Sequence, residues 1–366
     1  MERNRFTFVD ALRGIAASAV VLFHAAEGRH ITELFEKIPS GFQALLIHGD
    51  FGVAIFFVLS GFVISHSLRA NELSYKSALQ FILKRSIRLD PPYWAAIAVA
   101  VLFSLLASKI VTYRPADAYS TPQLISHFLY LQGLLGFKQI NPVFWTLCLE
   151  IQFYCVYALL LLTRSATVMV CAFLVSLPWA LGLGPAAPGV FVEFWYGFLL
   201  GVGANAAWRN SAVRPWFLIY TLLIAAAAIH SSSYFSLICC ITAIALLSTA
   251  LAGRLTSWLN WRWLQFLGTI SYSLYLLHNP VTGATFRAGY LIMGRSIYTE
   301  ALCWLASLTA CLCAASLFWF LIERPSARLA KQFGTKSSIS NDGIQTRALV
   351  FDPRPAPPTA KLPSDS

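Results

Sequence analysis

Residues 8–27 read FVDALRGIAASAVVLFHAAE, an apolar run interrupted by Asp10, Arg13, Ser18, His24 and Glu27. Twenty residues at about 1.5 Å each make about 30 Å of helix, the thickness of a bilayer's hydrocarbon core. A charged residue at the centre of such a helix costs about 2.5–3.5 kcal/mol on insertion scales, so one that is kept there is a functional candidate. Arg13 and His24 stand eleven residues apart. At about 100° per residue that is three turns plus roughly 20°, so the two share one face, roughly 16 Å apart along the axis. Asp10, one turn before Arg13, can pair with it, and Glu27, one turn after His24, can orient the imidazole. The plainer reading has Arg13 snorkelling to the interface and His24 bonding a neighbouring helix. A cleaved signal peptide is a further alternative, with a basic start, an apolar run from Gly14 and small residues at Ala25 and Ala26. Asp10 and Arg13 argue against it, because they suit a helix with a polar face.

The rest of the chain extends this pattern. Of 366 residues, 57% are hydrophobic and 12% charged, with a mean hydropathy of +0.64. Soluble domains are about 45–50% apolar and about 25% charged, so a water-soluble globule, a disordered chain and a collagen-like chain are all excluded. Ten apolar runs are long enough to be considered as spans: 8–27, 48–68, 91–108, 142–163, 166–183, 190–208, 213–230, 233–251, 263–281 and 299–322. The expected fold is therefore an all-α membrane protein, a polytopic bundle of about ten transmembrane helices. The net charge of +11 does not point to nucleic acid, because the basic residues flank apolar runs. With the N-terminus inside, nineteen Lys and Arg fall in inner loops and the tail and seven in outer loops. That bias places both termini in the cytoplasm. Residues 1–331 form the expected membrane domain. Residues 332–366, with five prolines and little apolar content, read as a disordered cytoplasmic tail. Eight Cys lie in or beside apolar runs without a CxxC pair, so neither a metal site nor a disulfide framework is expected. The longest outer loop, 109–141, holds an apolar stretch, Leu124–Leu135. It is too short to cross and is expected as an interfacial or re-entrant helix.

Two further ionisable groups fall at intramembrane positions. Glu150 lies about eight residues in from the outer end of the fourth run, and His278 near the outer end of the ninth. With alternating directions, His24, Glu150 and His278 are expected together in the outer half of the membrane. On the inner side, Arg85 and Arg88 share one face of a helical turn, a geometry suited to phosphate. Positive-inside topology alone also accounts for them.

These residues resemble the acyltransferase-3 family of integral membrane acyltransferases. The resemblance rests on six motifs in order: Asp10-Ala-Leu-Arg13-Gly14 with His24 eleven after Arg13, Phe56-Phe57-Val58-Leu59-Ser60-Gly61-Phe62, Arg85-Ser-Ile-Arg88-Leu-Asp-Pro91-Pro-Tyr93, Trp145-Thr146-Leu147…Glu150…Phe153-Tyr154, Ser273-Leu-Tyr275-Leu-Leu-His278, and Ile322-Glu323-Arg324-Pro325. It covers residues 8 to about 325. It implies an O-acyltransferase moving an acyl group, usually acetyl, from cytoplasmic acetyl-CoA or another acyl-CoA to a hydroxyl of a glycan or lipid-linked glycan at the outer face of a bacterial inner membrane. The donor is a substrate, and no tightly bound cofactor or metal is implied. Membrane lipid and glycan-assembly proteins are the implied partners. Under this reading His24 is the general base. Glu150 orients or stabilises an imidazole, and His278 is either a second base or an oxyanion donor. Arg13, Arg85 and Arg88 hold the CoA phosphates, with Asp10, Tyr93, Trp145 and Tyr275 in support. Transfer through an acyl-histidine and direct transfer both remain open. The rival from another class is a secondary transporter with an intramembrane polar site. It differs in that it would not consume acetyl-CoA.

Overall fold

The computed structural model describes residues 5–68, 74–110 and 119–333. Arg69, Arg114 and the tail from 334 onward lie outside the described residues. The described chain is helical throughout, with no strand. In order it forms α1 (Thr7–Glu27), α2 (Thr32–Lys37), α3 (Ser40–Ile47), α4 (Phe51–Ser67), α5 (Tyr75–Ile110), α6 (Thr121–Phe128), α7 (Trp145–Leu162), α8 (Ala166–Ala180), α9 (Trp195–Arg209), α10 (Arg214–His230), α11 (Tyr234–Leu251), α12 (Arg262–Met293) and α13 (Ile297–Phe318). Short 3₁₀ turns lead into α7, α9 and α10, and a π turn, Trp319–Glu323, follows α13.

Each of the ten apolar runs is helical, but the lengths differ from expectation. Six helical segments are long and apolar enough to cross a membrane by length and composition, and α3 with α4, bent by 50°, makes a seventh. Helix α8 is shorter, at 15 residues. Helix α12 has 32 residues, yet Thr269, Ser271, Ser273, His278 and Asn279 dilute its apolar character. Helix α5 starts well before the expected residue 91, because the basic stretch Lys84–Arg88 stays helical and continues through Pro91 and Pro92.

Two close helix crossings set the frame. A Cβ added to Gly14 on α1 would lie 2.9 Å from the Gly268 backbone nitrogen of α12, and one added to Gly268 would lie 2.1 Å from the Asp10 carbonyl. A Cβ on Gly61 of α4 would lie 1.9 Å from the Phe198 carbonyl of α9. Small residues at such crossings let helix backbones touch, which is how helices associate where lipid removes the hydrophobic drive.

The expected helix over Leu124–Leu135 is only half formed. Helix α6 ends at Phe128, and Tyr130 takes a left-handed φ of 59°, which turns the chain back onto α5. There Tyr130 donates to Asp90 at 3.0 Å and Gln132 donates to the Tyr93 hydroxyl at 3.1 Å. His127 is fully buried. Its Nδ1–H donates to the Gln123 carbonyl at 2.8 Å, and its Nε2 accepts from the Ile140 amide at 3.1 Å. Burial pushes the His127 imidazole below its ordinary value. Buried Glu300 at the start of α13 accepts from the Leu34 amide at 2.8 Å and the Thr32 hydroxyl at 3.2 Å. That bond set ties α2 to the first turn of α13.

Candidate active site

Helices α1 and α12 run parallel, and His24 and His278 each lie ten residues beyond the Gly14–Gly268 contact. Their rings meet with centroids 5.1 Å apart. The His278 side chain is fully buried. Its Nδ1 lies 2.8 Å from the Tyr275 carbonyl and 3.2 Å from that of Leu274, so Nδ1 carries the proton of the neutral ring. Nε2 then holds the lone pair, and it has no hydrogen-bond partner among the described residues. A neutral His278 in this tautomer accepts at Nε2 and cannot donate there, which fits a base better than an oxyanion donor. His24 Nδ1 lies 3.4 Å from Glu27 Oε2, the orienting contact expected from their spacing. A cavity of about 430 Å³ opens beside this end of α1, lined by Phe23, Glu27, Ile31, Thr32, Phe35 and Glu36 among others.

Glu150 does not join the histidines. It accepts from the Ser60 hydroxyl of α4 and the Tyr154 hydroxyl one turn along α7. The level of His278 is occupied instead by Asn141, which donates to the Leu276 carbonyl at 3.1 Å and accepts from Asn279 at 3.4 Å. Glu150 lies nine residues further along the descending helix, roughly 13 Å deeper. The expected trio at one depth is thus a pair and a separate carboxylate. Between them, Tyr275 and Thr146 hydroxyls meet at 2.7 Å, and Tyr275 also donates to the Val143 carbonyl at 3.2 Å. Trp145 packs edge-on against Phe57, with centroids 6.4 Å apart, and at a tilt against Phe194 at 5.5 Å.

Glu150 lies instead beside the arginines, through Tyr154. The Arg85 guanidinium lies over the Tyr154 ring, 5.2 Å from its centroid. Arg88 lies in the electrostatic field of Arg13, Arg85, Glu323 and Tyr154. The structure therefore brings Arg13, Arg85 and Arg88 from two helices into one half-buried cluster. Neither Arg13 nor Arg88 has a hydrogen-bond or ion-pair partner among the described residues. The expected Asp10–Arg13 pair is not formed: Asp10 pairs with Arg5, which also donates to Thr269 on α12 at 2.9 Å. Asp10 lies where α1 crosses Gly268, and Arg5 reaches it from the chain before α1. Tyr93 stands apart from the cluster, stacked on Tyr130 at 4.5 Å and packed on Phe144, so it anchors the segment between α6 and α7 to α5.

Sequence reasoning gave no role to Ser60, Tyr154, Ser273 or Glu323. The i, i+4 spacing of Glu150 and Tyr154 was a readable signal. The inward turn of Glu323 was not.

The family model described as an acyltransferase domain matches residues 6–324. The acyltransferase MdmB of Streptomyces mycarofaciens is 26% identical, over 89% of this chain and 92% of that protein. Nodulation protein 10 of Rhizobium leguminosarum bv. viciae is 30% identical, over 43% of this chain and 44% of that protein. The peptidoglycan O-acetyltransferase OatA of Listeria monocytogenes serovar 1/2a is 25% identical, over 76% of this chain and 49% of that protein. No solved structure matches.

Proposed function

The chain belongs to the acyltransferase-3 family of membrane O-acyltransferases, and on that premise we propose that it carries an acetyl group from cytoplasmic acetyl-CoA to a hydroxyl of an exported glycan or glycolipid. The observation that carries this reading is the division of the polar groups. Three arginines, two of them without a partner among the described residues, gather in the first halves of α1 and α5, and two histidines meet where the last turn of α1 passes the middle of α12. A phosphate-rich donor with a long thin arm suits the first group. A hydroxyl that needs a base suits the second.

In the proposed reaction the acceptor hydroxyl oxygen attacks the thioester carbonyl carbon. His24 takes the hydroxyl proton, with Glu27 orienting its ring and stabilising the imidazolium. The tetrahedral intermediate collapses, the C–S bond breaks, and the thiolate leaves with that proton as CoA thiol. His278, through its free Nε2, is the second acceptor of a proton or hydrogen bond at the reacting hydroxyl. Arg13, Arg85 and Arg88 hold the phosphates, and Glu150 steadies that group through Tyr154. The enzyme sits as a ten-span protein of the bacterial inner membrane with both termini cytoplasmic. The name of the peptidoglycan O-acetyltransferase among the relatives supports the acetyl and glycan choices. The test is labelled acetyl-CoA added to membranes bearing the protein, followed by analysis of the glycans. Label in a glycan ester that depends on His24 supports the reading, and consumption of acetyl-CoA without glycan label overturns the acceptor.

A further inference from the structure

The last motif of the chain, Ile322-Glu323-Arg324-Pro325, has no part in the mechanism above, yet it builds an unusual piece of backbone. Pro325 has no amide proton to give the carbonyl four residues earlier. The helix accommodates this with the π turn Trp319–Glu323. Such turns insert one residue into an α-helix and recur at functional sites. One inserted residue rotates everything after it by about 100°. The outcome is visible in the two neighbours. Arg324 turns out, its guanidinium over the Trp319 and Phe320 rings at 5.5 and 5.6 Å. Glu323 turns in and is buried, 7% exposed.

A buried carboxylate costs several kcal/mol unless it is bonded or faces a cation. Glu323 has both. Its Oε2 accepts from the Ser273 hydroxyl at 2.5 Å and the Ser273 amide at 3.2 Å. It also lies in the field of Arg88 and Arg13, though no ion pair joins them among the described residues. A carboxylate in that place opposes any anion the arginines bind.

We propose that Glu323 is the electrostatic counterweight of the arginine cluster: it balances Arg13 and Arg88 when the site is free, and it limits their hold on the phosphates of spent CoA. This rests on the reading that those arginines take the donor. Glu323 is a positioning residue that acts through the arginines and touches no reacting atom. Through Ser273 it is also fixed to α12, five residues before His278.

The test is equilibrium titration of CoA into the purified full chain in lipid nanodiscs. Glu323→Gln keeps an oxygen for Ser273 and removes the charge. It is expected to bind CoA on the order of tenfold tighter, the size of a unit charge about 12 Å away at an effective dielectric near 20. In turnover the same variant should lower both the acetyl-CoA KM and kcat, because product leaves slowly. A merely structural role would leave CoA affinity unchanged or weaken it. Glu323→Asp draws the charge back by one methylene and is expected to shift affinity in the same direction by less, so the idea stays testable if the Gln variant does not fold. Arg88→Ala is measured alongside. Weaker CoA binding in Arg88→Ala with no tightening in either Glu323 variant overturns the counterweight and leaves the donor site standing. Unchanged binding in all three overturns the donor assignment itself.

Discussion

His24 and His278 face each other across the α1–α12 contact, ring centroids 5.1 Å apart, each ten residues C-terminal to the glycine crossing that brings the helices together. Two imidazoles this close, one with its Nδ1–H committed to backbone carbonyls, leave a lone pair at Nε2 of His278 with no partner among the described residues. His24→Ala is expected to reduce transfer by about 10²–10⁴-fold, the usual worth of a general base. Its level in the membrane should stay near that of the parent. The measurement is acetyl transfer per unit of immunodetected protein. Activity at the parent level would move the base elsewhere.

The crossing itself is testable. Gly268→Ala places a methyl where the Asp10 carbonyl stands, so α1 must shift away from α12. Overpacking of this kind costs about 1–3 kcal/mol. Lower thermal stability in detergent, with kcat falling further than stability alone accounts for, is expected, because the shift separates the two histidines.

Arg85→Ala together with Arg88→Ala is expected to raise the acetyl-CoA KM at least about tenfold while sparing the acceptor side, since each Arg–phosphate contact is a charge-assisted bond. Glu150→Gln should move donor KM in the same direction by less, because Glu150 bonds Tyr154 beneath Arg85 and stands a helical distance from His24. A Glu150→Gln variant that loses kcat alone would return that carboxylate to the histidines. Insertion must be checked first in each case, as the arginines also set orientation.

The outer loop should be pH-sensitive through His127. Burial lowers its folded value, so below the ordinary value of about 6.5 the unfolded loop binds the proton more readily than the folded one. Its contribution is whole above that pH and is lost as pH falls toward the folded value. Protonation also removes the acceptor for the Ile140 amide. Protease cleavage within 119–141 in vesicles is expected to speed up between pH 7.5 and 5, and His127→Asn should flatten that dependence. An identical pH profile in the variant would assign the opening to another group.

A reporter fused after Lys331 is expected to read as cytoplasmic. A reading on the far side would overturn the even span count and the donor side together.

The ten helical runs, the basic flanks and the shared face of Arg13 and His24 were legible in the sequence, because each is a property of one helix: composition, a 3.6-residue period, and charge at its ends. The orienting contact of Glu27 with His24 was legible for the same reason, lying within a single turn. What the tertiary structure decided was the pairing of residues distant in the chain. Glu150 joined Ser60 of α4 instead of the histidines, and Arg85 of α5 settled over Tyr154, the helical neighbour of Glu150. Asp10 took Arg5 instead of Arg13, and Glu323 turned inward on a π turn to bond Ser273 of α12. Periodicity tells which residues share a face, but the depth and rotation of one helix against another come from where backbones can touch. That is settled by contacts such as Gly14 on Gly268 and Gly61 on Phe198, between residues far apart in the chain.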